Sequence, residues 1–273
     1  MDLEREKQHV RHLSARLCGL RGELMTAGFQ AWTDTGLVQI DGSSQNFALR
    51  QSFSVTTGSG TVNLGKSNAG VQYTVAANVA NFTVSAVYPL IALYSPNAYA
   101  TILKCQNIGT NTWSIQVWSN VAATVQVYVF DQSLAAAPSG AGYGLQVFDA
   151  SGNLIADARQ RLARVLDMQS GNIMGAGPGW GQWNQVDLRQ YTFGPYSGVA
   201  KIGVAAIATA WVSAPAGGND SGWYNVSGLQ TVGNTINFQY AYNAVGSTTH
   251  PGNNTCFGSQ YDWAFLAVDL SYI

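Results

Sequence analysis

After residue 25 the chain is dominated by alternation of apolar and polar positions. Ser114-Ile115-Gln116-Val117-Trp118 and Ala123-Thr124-Val125-Gln126-Val127-Tyr128-Val129-Phe130 both carry a period of two, the pattern of a strand with one buried face. Runs rich in β-branched and aromatic residues recur at 71–75, 81–88, 202–212, 235–242 and 263–272. Clusters of Gly, Ser, Asn and Pro separate them at short spacing, which favours antiparallel sandwiches or barrels over alternating helix and strand. Residues 1–24 read differently. Leu3, Val10, Leu17 and Leu24 recur every seven positions, with Leu13 and Leu20 three places after two of them, as along the seam of an amphipathic helix. Glu6 interrupts the seam, and Gly19 and Gly22 each cost a helix about 1 kcal/mol relative to Ala, so it weakens toward its end. So short a helix is marginal alone in water. It needs the same helix from other subunits, a groove on a partner, or the face of its own body. A natural start at Met25, leaving the first 24 residues as an extension, is a further alternative. The predicted fold is all-β: two tandem antiparallel β-sandwich or barrel-like domains preceded by a short N-terminal α-helix.

The division into two domains rests on an internal repeat. Gly28-Phe29-Gln30-Ala31-Trp32-Thr33-Asp34-Thr35-Gly36, with Asp41 beyond it, matches Gly144-Leu145-Gln146-Val147-Phe148-Asp149-Ala150-Ser151-Gly152, with Asp157 beyond it, at constant spacing and without a gap. Each copy reads as a strand, a tight turn closed by Gly, and a return strand leading to Asp: a β-hairpin that opens a domain. Chance similarity is the alternative, because hairpin turns reuse few residue types. The units also end alike, in Val129-Phe130-Asp131 and Ala267-Val268-Asp269, and the small, uncharged stretch between them has linker composition. The boundaries drawn are 1–24 for the charged helix, 25–134 for the first β domain, 135–142 for the linker, and 143–273 for a second β domain with Gly-rich and aromatic loops.

Charge narrows the partners. Only 10% of residues are charged, against about 25% in an average soluble chain. Of the 13 Lys and Arg and the 14 Asp and Glu, five and four fall in the first 24 residues, and every Glu is there. With a net charge of −1, the body has no broad basic field to draw nucleic acid or an anionic membrane. No run approaches the roughly 18 apolar residues of a spanning helix, so membrane insertion is not expected. Cys18, Cys105 and Cys256 are odd in number and widely spaced, which suggests small buried hydrophobes rather than a disulfide framework or zinc site. Leu and Val near the start are interleaved with charges, unlike a secretory signal, and synthesis in a bacterial-type cytosol fits best.

Candidate chemistry is sparse. His9 and His12 lack a third metal ligand nearby and read as solvated helix residues. No nucleophile elbow, zinc-protease motif or Walker loop is present, and Gly175 to Gly181, interrupted by Pro178 and Trp180, reads as a flexible loop. Ten Asp without Glu in the body are poor material for acid–base work, and Asp149 and Asp157 have turn and hairpin-end explanations. No catalytic, metal or cofactor residue is therefore assigned. Aromatics are richer: Trp180, Trp183, Tyr191, Tyr196, Trp211, Trp223 and Tyr224 concentrate in the second unit. Trp211 reads as core. Trp180, Trp183, Trp223 and Tyr224 are the candidate ligand or receptor contacts, since exposed rings beside amides suit sugar or protein recognition; anchoring of long loops on the sheets is the alternative. Arg159, Arg161 and Arg164 form the body's one basic concentration, and either pair with Asp157 and Asp167 or dock a neighbouring subunit. Arg161 and Arg164, with Leu3, Val10, Leu13, Leu17, Leu20 and Leu24, are the candidate subunit contacts.

The stretch Gly144 to Asp157, followed by Arg161-Leu162-Ala163-Arg164-Val165-Leu166, resembles the opening of small tail-associated virion proteins of tailed bacteriophages. Those begin with a Gly-Leu-Gln-apolar-aromatic-Asp hairpin and continue through an Asp to an Arg-apolar-x-Arg segment. Gly28 to Asp41 resembles the same opening more weakly, without the Arg cluster and with Thr33 where Asp149 stands. The resemblance implies a non-enzymatic structural virion protein of the tail tip, baseplate or an attached fibre, assembled in the bacterial host cytoplasm. Its partners would be other virion proteins and further copies of itself, and no catalytic residue or cofactor comes with it. A receptor- or carbohydrate-binding module that uses the aromatic loops on a host surface glycan is the alternative. A depolymerase is disfavoured by the shortage of acid and base groups.

Overall fold

The structure, a computed structural model, describes residues 30–32, 38–41, 46–66, 72–132, 146–148, 152, 154–157, 159–173, 190–216, 221–247 and 258–273. The expected helix with Leu3, Val10, Leu13, Leu17, Leu20 and Leu24 lies outside these residues, as does the linker 135–142. Regular structure among the described residues is all β. The N-terminal half contributes β1 (Gln30–Trp32), β2 (Val38–Asp41), β3 (Ala48–Thr56), β4 (Gly58–Lys66), β5 (Gln72–Ser85), β6 (Pro89–Tyr94), β7 (Ala100–Gly109), β8 (Thr112–Ser119) and β9 (Thr124–Asp131). The C-terminal half contributes β10 (Gln146–Phe148), β11 (Leu154–Asp157), β12 (Arg164–Asn172), β13 (Gln190–Phe193), β14 (Ile202–Ala208), β15 (Trp211–Ala216), β16 (Ser221–Val232), β17 (Thr235–Ser247), β18 (Gly258–Gln260) and β19 (Asp262–Asp269).

Two large antiparallel sheets draw on both halves. One has six strands in the order β12-β19-β14-β6-β9-β3, and the other runs β13-β17-β16-β7-β8-β5-β4 with β15 and β18 attached through β16. The halves join edge to edge in each sheet, at Val204 opposite Leu93 and at Leu229 opposite Ala100. Side chains reinforce the joint: Thr101 and Thr209 hydroxyls are 2.8 Å apart, and Gln230 Nε2 donates to the Pro96 carbonyl at 2.8 Å.

The halves also use the same register. β1–β2 pairs Gln30 with Asp41 and Ala31 with Ile40, then shifts register before Trp32 meets Val38. β10–β11 pairs Gln146 with Asp157 and Val147 with Ala156, then shifts before Phe148 meets Leu154. The correspondence reaches into the six-stranded sheet. Ala48 opposes Asp131 with an irregularity between Leu49 and Gln51, and Arg164 opposes Asp269 with one between Val165 and Asp167. In the larger sheet, Ala86 donates its backbone N–H to the Asn111 carbonyl at 2.8 Å, and Tyr196 donates to the Asn234 carbonyl at 2.9 Å. Both carbonyls belong to tight turns, and Asn111 and Gly233 hold positive φ of 53° and 59° there.

Both faces of the six-stranded sheet are covered. Between the sheets, Leu93, Val127 and Val129 pack with Ile115 and Val117 in the N-terminal half, while Val204, Phe265 and Ala267 pack with Ile236 and Phe238 in the C-terminal half. The opposite face gathers Ala92, Tyr128, Phe130, Ala205, Val268 and Leu270 into a cluster to which both halves contribute. That cluster is enclosed because the sheet nearly meets itself: Leu162 bridges Ala48, Leu49 N–H donates to the Arg161 carbonyl, and Ala163 N–H donates to the Phe47 carbonyl, each at 2.8 Å. Burying a side chain of Phe or Val size contributes about 1.5 to 3 kcal/mol, and Phe130, Phe265, Val127 and Val129 are fully buried.

Two-sided burial explains where the strand boundaries differ from the sequence pattern. The run 202–212 is two strands: β14 lies in the six-stranded sheet and β15 in the other. β14 reads Ile-Gly-Val-Ala-Ala-Ile-Ala without alternation because Val204 and Ala205 face different cores. The runs 71–75 and 81–88 belong largely to one long strand, β5, which ends at Ser85.

Candidate functional site

The segment that carries the repeat motif folds as a hairpin, a clasp and a sheet edge. Antiparallel pairing of β10 with β11 brings Gln146 opposite Asp157. The Asp157 side chain is fully buried, so its charge requires partners. Arg159 supplies them as a fork, Nε to Oδ1 at 2.9 Å and a terminal nitrogen to Oδ2 at 2.6 Å. Arg159 N–H donates to Oδ1 at 2.9 Å, and Gln146 Nε2 donates to Oδ2 at 2.8 Å. The Arg159 bond, then the Gln146 bond, hold the Asp157 pKa well below the usual carboxylate range. Gln146 and Asp157 of the motif, with Arg159 just beyond it, thus lock the hairpin to the residues that follow, and both Asp157 oxygens are occupied.

Residues 161–163 then run beside Phe47, Ala48 and Leu49, and the chain enters β12 at an edge of the six-stranded sheet. Arg164 reaches back to Asp269, with 3.0 Å between nitrogen and Oδ2, while remaining largely exposed. Arg161 is exposed. The expected pairing of these arginines with Asp167 is not found: Asp167 accepts from the Tyr196 hydroxyl at 2.9 Å and from Gln169 Nε2 at 2.7 Å. Burial, and secondarily Asp167, push the Tyr196 hydroxyl above its ordinary pKa. Along this edge Val165 and Met168 are 48% and 62% exposed, and Phe148 on the hairpin is 50% exposed.

The aromatic candidates separate. Trp180 and Trp183 lie outside the described residues. Trp223 and Tyr224 lie on strand β16, opposite Ala214 and Ser213 of β15, rather than in a loop. Tyr191, on the edge strand β13, belongs to a ring cluster with Phe193, Phe238 and Trp263, at centroid distances of 6.4, 5.7 and 6.2 Å. Trp211, expected in the core, is half-buried against a cluster that contains Trp118 and Val226. Its strand begins where the chain leaves the six-stranded sheet. Cys105, expected to be buried, is exposed on β7.

Sequence reasoning missed two features. Lys201 joins the halves, donating to Gln126 Oε1 at 2.6 Å and to the Tyr128 hydroxyl at 2.5 Å, with its nitrogen 4.5 Å from the Tyr94 ring centroid. The second is a polar cleft of about 780 Å³ bordered by β4, β5, β7, β8 and the turn from β14 to β15. Alternation in β8 marked Gln116 as outward-facing but gave no sign of what it would face. Among the described residues, no three His, Cys, Asp or Glu side chains gather as metal ligands. No protein-family model matches the chain, and no significant match was found among curated proteins or solved structures.

Proposed function

We propose that the chain is a non-enzymatic structural component of a bacteriophage virion, in the tail tip, the baseplate or an attached fibre, and that it works through subunit assembly. The observation that carries this reading is the sheet edge at β12. It has a ladder partner, β19, on one side, and it exposes Val165 and Met168, as the hairpin that precedes it in the chain exposes Phe148. Proteins that remain monomeric blunt such edges with charge, proline or a covering element, whereas subunit interfaces are depleted in charge and rich in apolar contact. The hairpin that resembles the phage tail-associated proteins precedes this edge in the chain, and the Arg161-Leu162-Ala163-Arg164 segment of the same resemblance leads into it. Arg161 and Arg164 flank it as candidate subunit contacts.

Mass spectrometry of particles purified from the host that carries the gene tests the reading. The chain should be found in the particles, and light scattering should give a multiple of the 29.1 kDa chain. Absence from particles, with a monomeric mass, overturns it. The concentration of aromatic residues beside Gly and Asn favours a second reading, recognition of a host glycan or receptor through Trp180, Trp183, Trp223 and Tyr224. Replacement of Trp223 and Tyr224 by Ala should then abolish adsorption and leave the melting transition in place.

A further inference from the structure

We propose that the cleft between β7 and the turn from β14 to β15 is a saccharide-binding site. It opens because β7 meets β16 only at Ala100 opposite Leu229; beyond that bridge the two strands part, and residues 206–211 of the other half form the facing wall. The floor is made by outward-facing amides. Gln116 Nε2 donates to Asn81 Oδ1 at 3.0 Å and to the Thr61 carbonyl at 3.5 Å, leaving further donors and acceptors of both amides toward the cleft. Thr209 binds the Ile102 carbonyl at 3.1 Å and fixes the wall. The volume of about 780 Å³ lies in the range of sites for small ligands.

The lining selects the ligand. Amides and hydroxyls offer uncharged donors and acceptors, while the Trp211 indole and Ile207, which is 55% exposed, supply an apolar surface on one wall. A pyranose has this pair of properties, hydroxyls around its rim and C–H groups on its face, and aromatic rings are the usual platform for such amphipathic partners. Among the described residues, Lys104 is the one charged side chain in the lining and no carboxylate lines it, so neither a cation nor a polyanion is matched. An extended peptide added along the β7 edge is the competing occupant. The β7 ladder is irregular between Ile102 and Lys104 and between Asn107 and Gly109, and Thr209 already occupies the Ile102 carbonyl. Bulges and blocked edges oppose strand addition.

The site does not depend on the virion reading, and its test leaves that reading untouched. The full chain is applied to an array of neutral and acidic oligosaccharides of two to six units, and Asn81→Ala/Gln116→Ala is compared with the parent. Both side chains lie at the surface, so the melting temperature should hold. Affinity for the saccharides that bind should fall at least tenfold, and the best of them should slow alkylation of Cys105, read by peptide mapping, at least threefold. Burial of part of the Cys105 side chain raises its thiol pKa, so labelling is run in mild alkali. Absence of saccharide binding, binding that persists in the double variant, or undiminished Cys105 labelling overturns the site. Capture of a peptide by β7 in place of a saccharide does so as well.

Discussion

The ammonium of Lys201 lies 2.5 Å from the hydroxyl of Tyr128 and 5.1 Å from the centroid of the same ring. One residue is in the C-terminal half and the other in the N-terminal half, so a single side chain holds the joint in two ways. Replacement of Lys201 by Ala removes a charge-assisted hydrogen bond pair and a cation–π contact, a loss of about 2 kcal/mol. The denaturant midpoint should fall, with Lys201→Arg recovering part of it. An unchanged midpoint would show that the contact is decorative.

The Asp157 clasp makes stability depend on acid. Its folded pKa lies below the ordinary value of about 3.9, so its contribution is fully present above about pH 4 and is lost as pH falls from there toward the folded pKa. Asp157→Asn should be destabilised at pH 6, and the gap from the parent should narrow progressively between about pH 4 and pH 2. Urea titration at both ends of that interval checks the sign; a gap that widened in acid would contradict it.

The two matching turns give a paired test. Asn111 and Gly233 both hold left-handed backbone, which costs an alanine about 1 to 2 kcal/mol. Asn111→Gly should be neutral or slightly stabilising, whereas Asn111→Ala and Gly233→Ala should each lose about 1 kcal/mol. Equal responses at the two sites would mean that the turns correspond in energy as well as in shape.

Gly228 permits a close backbone approach in the joint. A Cβ there would stand 2.9 Å from Tyr99 Cβ and 3.1 Å from the Trp118 ring. Gly228→Ala should cost about 1 to 3 kcal/mol through overpacking, with a change in near-ultraviolet circular dichroism from the displaced indole.

β8 was legible because alternation reports the local environment of each side chain, and β9 was legible from its polar Thr124 and Gln126, although Val127 to Phe130 are buried on both faces. The two hairpins were legible because a turn and its flanking pairs lie within about a dozen residues. β14 lost its signature through burial on both faces. The joint between the halves could not be read, since Leu93 with Val204 and Ala100 with Leu229 are single bridges between residues more than a hundred positions apart. The Gln146, Asp157 and Arg159 clasp was half visible: pairing of the arginine cluster with Asp157 was one of the expected alternatives and Arg159 makes it, whereas the Gln146 bond was not read, because it depends on the register of the hairpin. The saccharide cleft left no local trace, as its floor and wall come from different halves.

The near-closure of the six-stranded sheet at Ala48 and Leu162 has a topological consequence. Fragments 1–132 and 146–273 would each leave half of the shared apolar cluster in water, yet each contains whole strands with intact ladders. Co-expressed, they should find one another and copurify as a heterodimer, while either alone should aggregate. The covalent connection would then be a tether that raises effective concentration, and the chain an obligate pair written as one molecule.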